Sequence, residues 1–214
     1  MNRDPFDLKK KACNEAYEFF NKNIRKLPRR ANGEFNEDFE EFSDSDIDAF
    51  RHAYVSGVFT QEYGSIVANI LGSLNELTSA SNTTGGGVES NNMDYWNNAI
   101  GRKYGKVTRT RRTLALKIKI ALENGELITN LKDPRVYATS HLPLKINNAV
   151  IVLHQSKTGR NEIFFDLTKS TTMTSAEFVE LIEQGQYSGY CVANIHGIPT
   201  PRSKPNNSDG DNLG

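Results

Sequence analysis

Arg51 and His52, in the run Asp48-Ala49-Phe50-Arg51-His52-Ala53, place a guanidinium and an imidazole inside an apolar stretch. A buried arginine needs a carboxylate for its fork of donors, and an imidazole exchanges a proton near neutral pH. On a helical wheel Ile47, Phe50, Tyr54, Val55, Val58 and Phe59 share one arc, with Arg51 near its middle. His52 stands at the edge of that arc, one turn after Asp48 and one turn before Ser56, so these three side chains form a single ridge. The carboxylates expected to take Arg51 within a helical hairpin are Glu62, Glu76 and Asp94. A structural ion pair tying helices together accounts for Arg51 as readily as a reactive site does.

Glu76 and Asp94 are the acids with a chemical use. Glu76 closes a helical run and leads through a Ser/Asn/Gly-rich segment to Asp94, an arrangement that resembles lysozyme-like muramidases, whose general-acid glutamate ends a helix beside a cleft. Glycoside hydrolysis needs one carboxyl kept protonated by apolar surroundings and a second one ionised across the substrate. In that reading Glu76 is the general acid, Asp94 the base or charge stabiliser, and His52 a proton carrier or substrate contact. Arg51 orients a carboxylate, Asn97 and Asn98 bind sugar hydroxyls, and Leu74, Leu77 and Trp96 form the apolar wall.

The elements that must position these groups are helices. Leu8 to Leu27 carries apolar residues at helical spacing and Pro28 stops it. Arg29 to Phe42 reads as a loop with Phe35, Phe39 and Phe42 as anchors. Ser43 or Ser45 caps the Arg51-His52 helix, with Asp44, Asp46 and Asp48 at its positive end, and Gly64 closes it. A further helix is expected over residues 65–77, a loop over 79–92 without the Lys-Ser/Thr ending of a phosphate-binding loop, and helices over 93–104 and 114–122. After Gly125 the pattern turns to short strands, at 126–129, 149–154, 162–167 and 187–195, with a capped helix opening at Thr174. The fold class expected is α+β: a helical N-terminal bundle over 1–125 carrying the site, a small β-rich part over 126–198, and a loose tail over 199–214.

The 214 residues are enough to bury a core without staples. A formal net charge of zero argues against general attraction to nucleic acid, and no stretch approaches the roughly 20 apolar residues of a membrane span. Charge is uneven, however: Glu34 to Asp48 holds eight acidic residues and no basic one, and Arg102 to Lys119 eight basic and no acidic one. The two runs either face each other or form two solvated faces. Arg109, Arg111 and Arg112 are candidates for phosphate contact. Cys13 reads as core, and Cys13 and Cys191 have no ligand spacing. The polar start, Met1 to Lys11, leads us to expect synthesis in the cytoplasm without a cleavable signal and, if the protein acts outside, export by a specialised secretion system.

Between Ser43 and Gly125 the chain resembles a bacterial domain family of unassigned function found in secreted and toxin-associated proteins. The resemblance is carried by Arg51-His52-Ala53, Asn75-Glu76, and Asp94-Tyr95-Trp96-Asn97-Asn98 with Gly101. The family signature is Arg-His-Ala, His-Glu and Asp-x-His-Asn-Asn, so Asn75 and Trp96 stand here in place of histidines. The resemblance implies a bacterial effector or toxin-type hydrolase, with cell-wall glycan (peptidoglycan) as a target class and a cognate immunity protein as a partner. With only His52 left of the three histidines, the ligand set His52, Glu76, Asp94 and Asn97 is mainly oxygen, and neither metal nor cofactor is expected. The alternatives are a protein-interaction module in which Arg51, His52, Glu76 and Asp94 form a structural network, and then a metal-dependent hydrolase.

Overall fold

Caps and breakers in the sequence set most element ends in the computed structural model, which describes residues 5–72, 88–138, 150–166, 168–169 and 171–204. Among the described residues, helices fill the N-terminal part and two small antiparallel sheets the C-terminal part, an α+β fold. They form two compact units, the described residues of Pro5–Leu142 and those of Pro143–Gly214.

In the helical unit, α1 (Pro5–Asn23) buries Leu8, Ala12, Ala16, Tyr17 and Phe20 along one stripe. It stops at Asn23 rather than Leu27, because the Asn21 side chain accepts the Leu27 N–H at 2.9 Å and draws the chain out of the helical ladder. A 3-10 turn at Glu40–Phe42 follows; Phe42 is buried and Phe35 and Phe42 each meet the Tyr17 ring edge-on, whereas Phe39 stays exposed. Helix α2 (Asp46–Tyr63) is capped by Ser45 and closed by Gly64, whose φ of 81° suits glycine. It is buried on nearly every side and is the central rod of the unit. Phe50 on α2 stacks on Phe19 and meets Phe20 edge-on.

Residues 65–72 are helical (α3), and α4 (Val88–Val107) and α5 (Arg111–Glu123) follow. Helix α4 begins inside the segment expected as a loop; the rest of that segment lies outside the described residues. The backbones of α2 and α4 touch. A Cβ on Gly101 would sit 2.0 Å from the Ala53 carbonyl oxygen, and one on Gly105 2.6 Å from that of Gly57. Helix α5 opens with a Thr110–Thr113 capping box and packs Leu114, Ala115, Ile118 and Ala121 inward. Beyond it, residues 126–129 do not form the expected strand: Leu127 and Ile128 are buried and belong to the helical unit.

Members of the two charge runs pair with residues outside the other run. Within the acidic run, Arg25 forks onto Asp46 at 2.8 and 3.0 Å and reaches Glu41 at 2.7 Å, and Arg30 meets Asp38. Within the basic run, Arg111 bonds the Val58 carbonyl, Gln61 and Glu62, so it ties α5 to α2 rather than waiting for a phosphate.

The C-terminal unit holds β1 (Val150–Gln155), β2 (Asn161–Asp166) and β3 (Thr171–Thr174) in sequential antiparallel order, with Ile151 opposite Phe165 and Phe164 opposite Met173. The Thr174 capping box opens α6 (Ser175–Glu183), and Phe178 packs its ring against Phe164, Tyr187 and Tyr190. A hairpin of β4 (Tyr190–Ile195) and β5 (Ile198–Ser203) closes the order. Its two-residue turn is His196-Gly197, both at positive φ, as a tight hairpin requires. Pro199 to Ser203, expected as the start of a loose tail, is therefore strand; residues 205–214 lie outside the described residues.

Candidate active site

The buried polar residues of the helical unit are not scattered. Among the described residues they are Asp48, His52, Ser56 and Thr60, spaced by four along one ridge of α2, and Asp94, Asn97 and Asn98 on α4. Asp94, Asn98, Gly101 and Gly105 share the face of α4 that the glycine contacts press against α2. Glycine at 101 and 105 thus brings a polar stripe of α4 onto a polar ridge of α2.

Asp48 is fixed by the start of its helix. It is the third helical residue, its N–H meets the Ser45 hydroxyl at 3.5 Å, and its Oδ2 accepts the Asp44 N–H at 2.9 Å. Asp44 is itself held by the Ser90 hydroxyl of α4 at 2.8 Å. This is a variant of the capping box, and it leaves Asp48 Oδ1 aimed along the ridge. There Oδ1 takes the Arg51 Nη2, and His52 Nε2 lies 3.5 Å away. Across the helix interface Asp94 Oδ1 is 3.3 Å from the same Nε2, and Arg51 Nη2 is 2.8 Å from it. Asp48, His52 and Asp94 are 6, 8 and 8% exposed, whereas the Arg51 side chain keeps 22% of its surface in solvent.

Burial alone would raise the Asp48 pKa, but Arg51 and then His52 outweigh it and hold the carboxyl below its ordinary value. Burial works equally against the charge on Arg51, and the Asp48 carboxylate outweighs it, so the guanidinium pKa lies above its ordinary value. Cys13 and Tyr17 on α1 also face Arg51, and burial raises both of their pKa values. Cys13 is half-buried rather than core, and both cysteines are free thiols. Two polar atoms of the ridge, Arg51 Nε and Ser56 Oγ, are buried without a hydrogen-bond partner among the described residues.

Of the residues expected in the site, Arg51, His52 and Asp94 come together. Arg51 takes Asp48, one turn back, and not the expected Glu62, which pairs with Arg111. Asp48 is the member that pattern reading left out of the site, although its spacing of three and four from Arg51 and His52 is the signal that finds it. Asn97 points elsewhere. It is fully buried and spends its amide on the Ile128 main chain, donating to the carbonyl at 2.8 Å and accepting the N–H at 2.9 Å. Asn98 is buried and faces Gly72 of α3, whose Cβ would lie 3.5 Å from its amide nitrogen.

Trp96 does not wall a pocket beside Asp94. Its indole N–H donates to the Glu126 carbonyl at 2.8 Å and Arg135 lies over its ring. Residues two apart on a helix point away from each other, so a histidine at position 96 would not share a centre with Asp94 either. Glu76, with Leu74, Asn75 and Leu77, lies outside the described residues, as does His141. Arg51, His52, Asp48 and Asp94 can hold a proton, an anionic substrate group or, through the imidazole and two carboxylates, a cation.

A family model described as a domain of unknown function (DUF6973) matches residues 8–126, the stretch from α1 to the end of α5 that contains the whole cluster. No curated protein and no solved structure matches the chain. No helix among the described residues is long and apolar enough to cross a membrane.

Proposed function

We propose that this chain, which belongs to the DUF6973 family of domains of unknown function, is a hydrolase whose acid–base group is His52. The observation that carries the reading is the company of one ring nitrogen. Neutral Nε2 accepts from Arg51 Nη2 at 2.8 Å; protonated Nε2 cannot keep that donor and has the Asp94 and Asp48 carboxylates, at 3.3 and 3.5 Å, to turn to. Either charge state of the ring therefore keeps a partner, which is what a proton carrier needs through a catalytic cycle. Asp94 stabilises the imidazolium, and Arg51, still partly in solvent, orients a substrate carboxylate. Glu76 retains its proposed role as general acid on the sequence argument above.

Cell-wall glycan as substrate class, a toxin or effector role, a cognate immunity protein and export by a specialised system are proposed from the resemblance to toxin-associated domains. A second reading, an interaction module with a closed polar network, is favoured by one observation: Asn97 is wholly engaged in tying α4 to Ile128.

The test is expression of the chain in the cytoplasm and in the periplasm of a bacterium, beside His52→Ala, Asp94→Asn and Glu76→Gln, with the melting temperature of each purified form measured in parallel. Toxicity confined to the periplasm and lost in variants that still melt like the parent supports the hydrolase. Variants that lose stability while toxicity is absent throughout, or equal in all forms, support the module.

A further inference from the structure

Two of the three spacings among the same donors match those around a metal ion. Asp48, His52 and Asp94 offer one ligand atom each, from two helices, and these atoms lie within 4.8 Å of one another. A tetrahedral ion with bonds of about 2.0–2.1 Å holds neighbouring donors roughly 3.3–3.4 Å apart. The His52 Nε2 to Asp94 Oδ1 and Asp48 Oδ1 distances are 3.3 and 3.5 Å.

Outer contacts of the kind that fix ligands are in place: Asp44 N–H holds the second oxygen of Asp48, and the Ser90 hydroxyl holds Asp44. The cation position is also marked by a cation. Arg51 Nη2 lies against Asp48 Oδ1 and 2.8 Å from His52 Nε2, between two of the three donors an ion would use. Once the guanidinium has left, the two carboxylates carry two negative charges, which a divalent ion neutralises. Arg51 has to give up that place, and its side chain, 22% exposed, has solvent to move toward.

We propose that Asp48, His52 and Asp94 bind a divalent cation of the zinc class in exchange for the Arg51 guanidinium. The exchange leaves the fourth position open, as in a catalytic rather than a structural zinc site. It rests on ligand geometry and uses the residues of the hydrolytic reading differently, since a metal-bound His52 Nε2 is a ligand and no longer the proton carrier; it is tested without a substrate.

The experiment is calorimetric titration of the full chain with zinc chloride at neutral pH, with melting curves with and without the metal, for the wild type, His52→Ala, Asp94→Asn and Arg51→Met. One zinc per chain is expected in the wild type, with affinity at least tenfold weaker in His52→Ala and Asp94→Asn. Arg51→Met, freed of the competing charge, is expected to bind at least tenfold more tightly and to gain more in melting temperature from zinc than the wild type does. Absence of binding in both the wild type and Arg51→Met overturns the proposal. So does binding that the two ligand substitutions leave unchanged, or that Arg51→Met weakens. The wild-type and Arg51→Met titrations decide the matter even if a ligand variant does not fold. A chain that takes no zinc yet loses its toxicity in His52→Ala would end the cation site and leave the hydrolase standing.

Discussion

Removing the Asp48 carboxylate leaves Arg51 facing the interior without its counter-charge. Breaking such a pair from one side costs about 3–5 kcal/mol when both partners are buried. With a fifth of Arg51 in solvent, the lower end, about 3 kcal/mol, is expected for Asp48→Asn, read as a shift of the urea midpoint. The sign of its pH dependence follows from a folded pKa held below the ordinary 3.8. The ionised pair contributes fully above that ordinary value, and the contribution fades as pH falls through the lower folded value. The midpoint difference between wild type and variant should therefore shrink as pH falls below about 5. A difference unchanged at about pH 2 would contradict the pairing. Asn97→Ala is expected to cost about 3 kcal/mol for a different reason: it leaves the Ile128 N–H and carbonyl buried and unbonded. Denaturant unfolding of Asn97→Ala measures this, and a loss under 1 kcal/mol would mean that the main chain finds other partners.

At the scale of elements, the cluster exists because α2 and α4 approach to backbone contact. Gly101→Ala places a carbon where the Ala53 carbonyl already sits, 2.0 Å away, and neither backbone can yield locally. A loss of about 3 kcal/mol or more is expected, together with parting of Asp94 from His52 and a weakened response to zinc. Gly57→Ala meets mainly the flexible tip of Leu114, at 2.8 Å, and should be milder. Denaturation and zinc titration of the two variants check the order. Equal stability of both would show that the helices are free to slide. Arg135 serves the same unit from outside, donating to the carbonyls of Gly125, Glu126 and Leu127, and holds Asp133 at a pKa of about 2 through their hydrogen bonds.

At the scale of the whole molecule, the C-terminal unit has its own core of Val150, Phe164, Met173, Phe178, Tyr187 and Tyr190. Asp166, 1% exposed, is satisfied by the Tyr187 hydroxyl at 2.5 Å and by the Thr168 and Lys169 N–H groups. Tyr187→Phe removes one donor from a buried carboxylate and is expected to cost that unit about 1.5–3 kcal/mol. Hydrogen exchange should show faster exchange across 150–203 with protection of α2 and α4 unchanged. Loss of protection in both units would show that they unfold together.

Sequence alone determined what is local. Helical spacing, the caps at Ser45 and Thr174, and the glycine stop at 64 follow from hydrogen bonds and φ angles within a few residues, so the α+β class and most helices were legible. The side chains of Arg51, His52 and Asp94, expected in one site, do lie together. The tertiary structure decided what depends on which faces meet. It gave Arg51 to Asp48, turned Asn97 and Trp96 toward residues 126–128, and paired Pro199 to Ser203 with β4. Those outcomes were not readable from spacing, because a helix offers its polar side chains in every direction and only the closest approach of a second helix, here set by Gly101 and Gly105, selects among them.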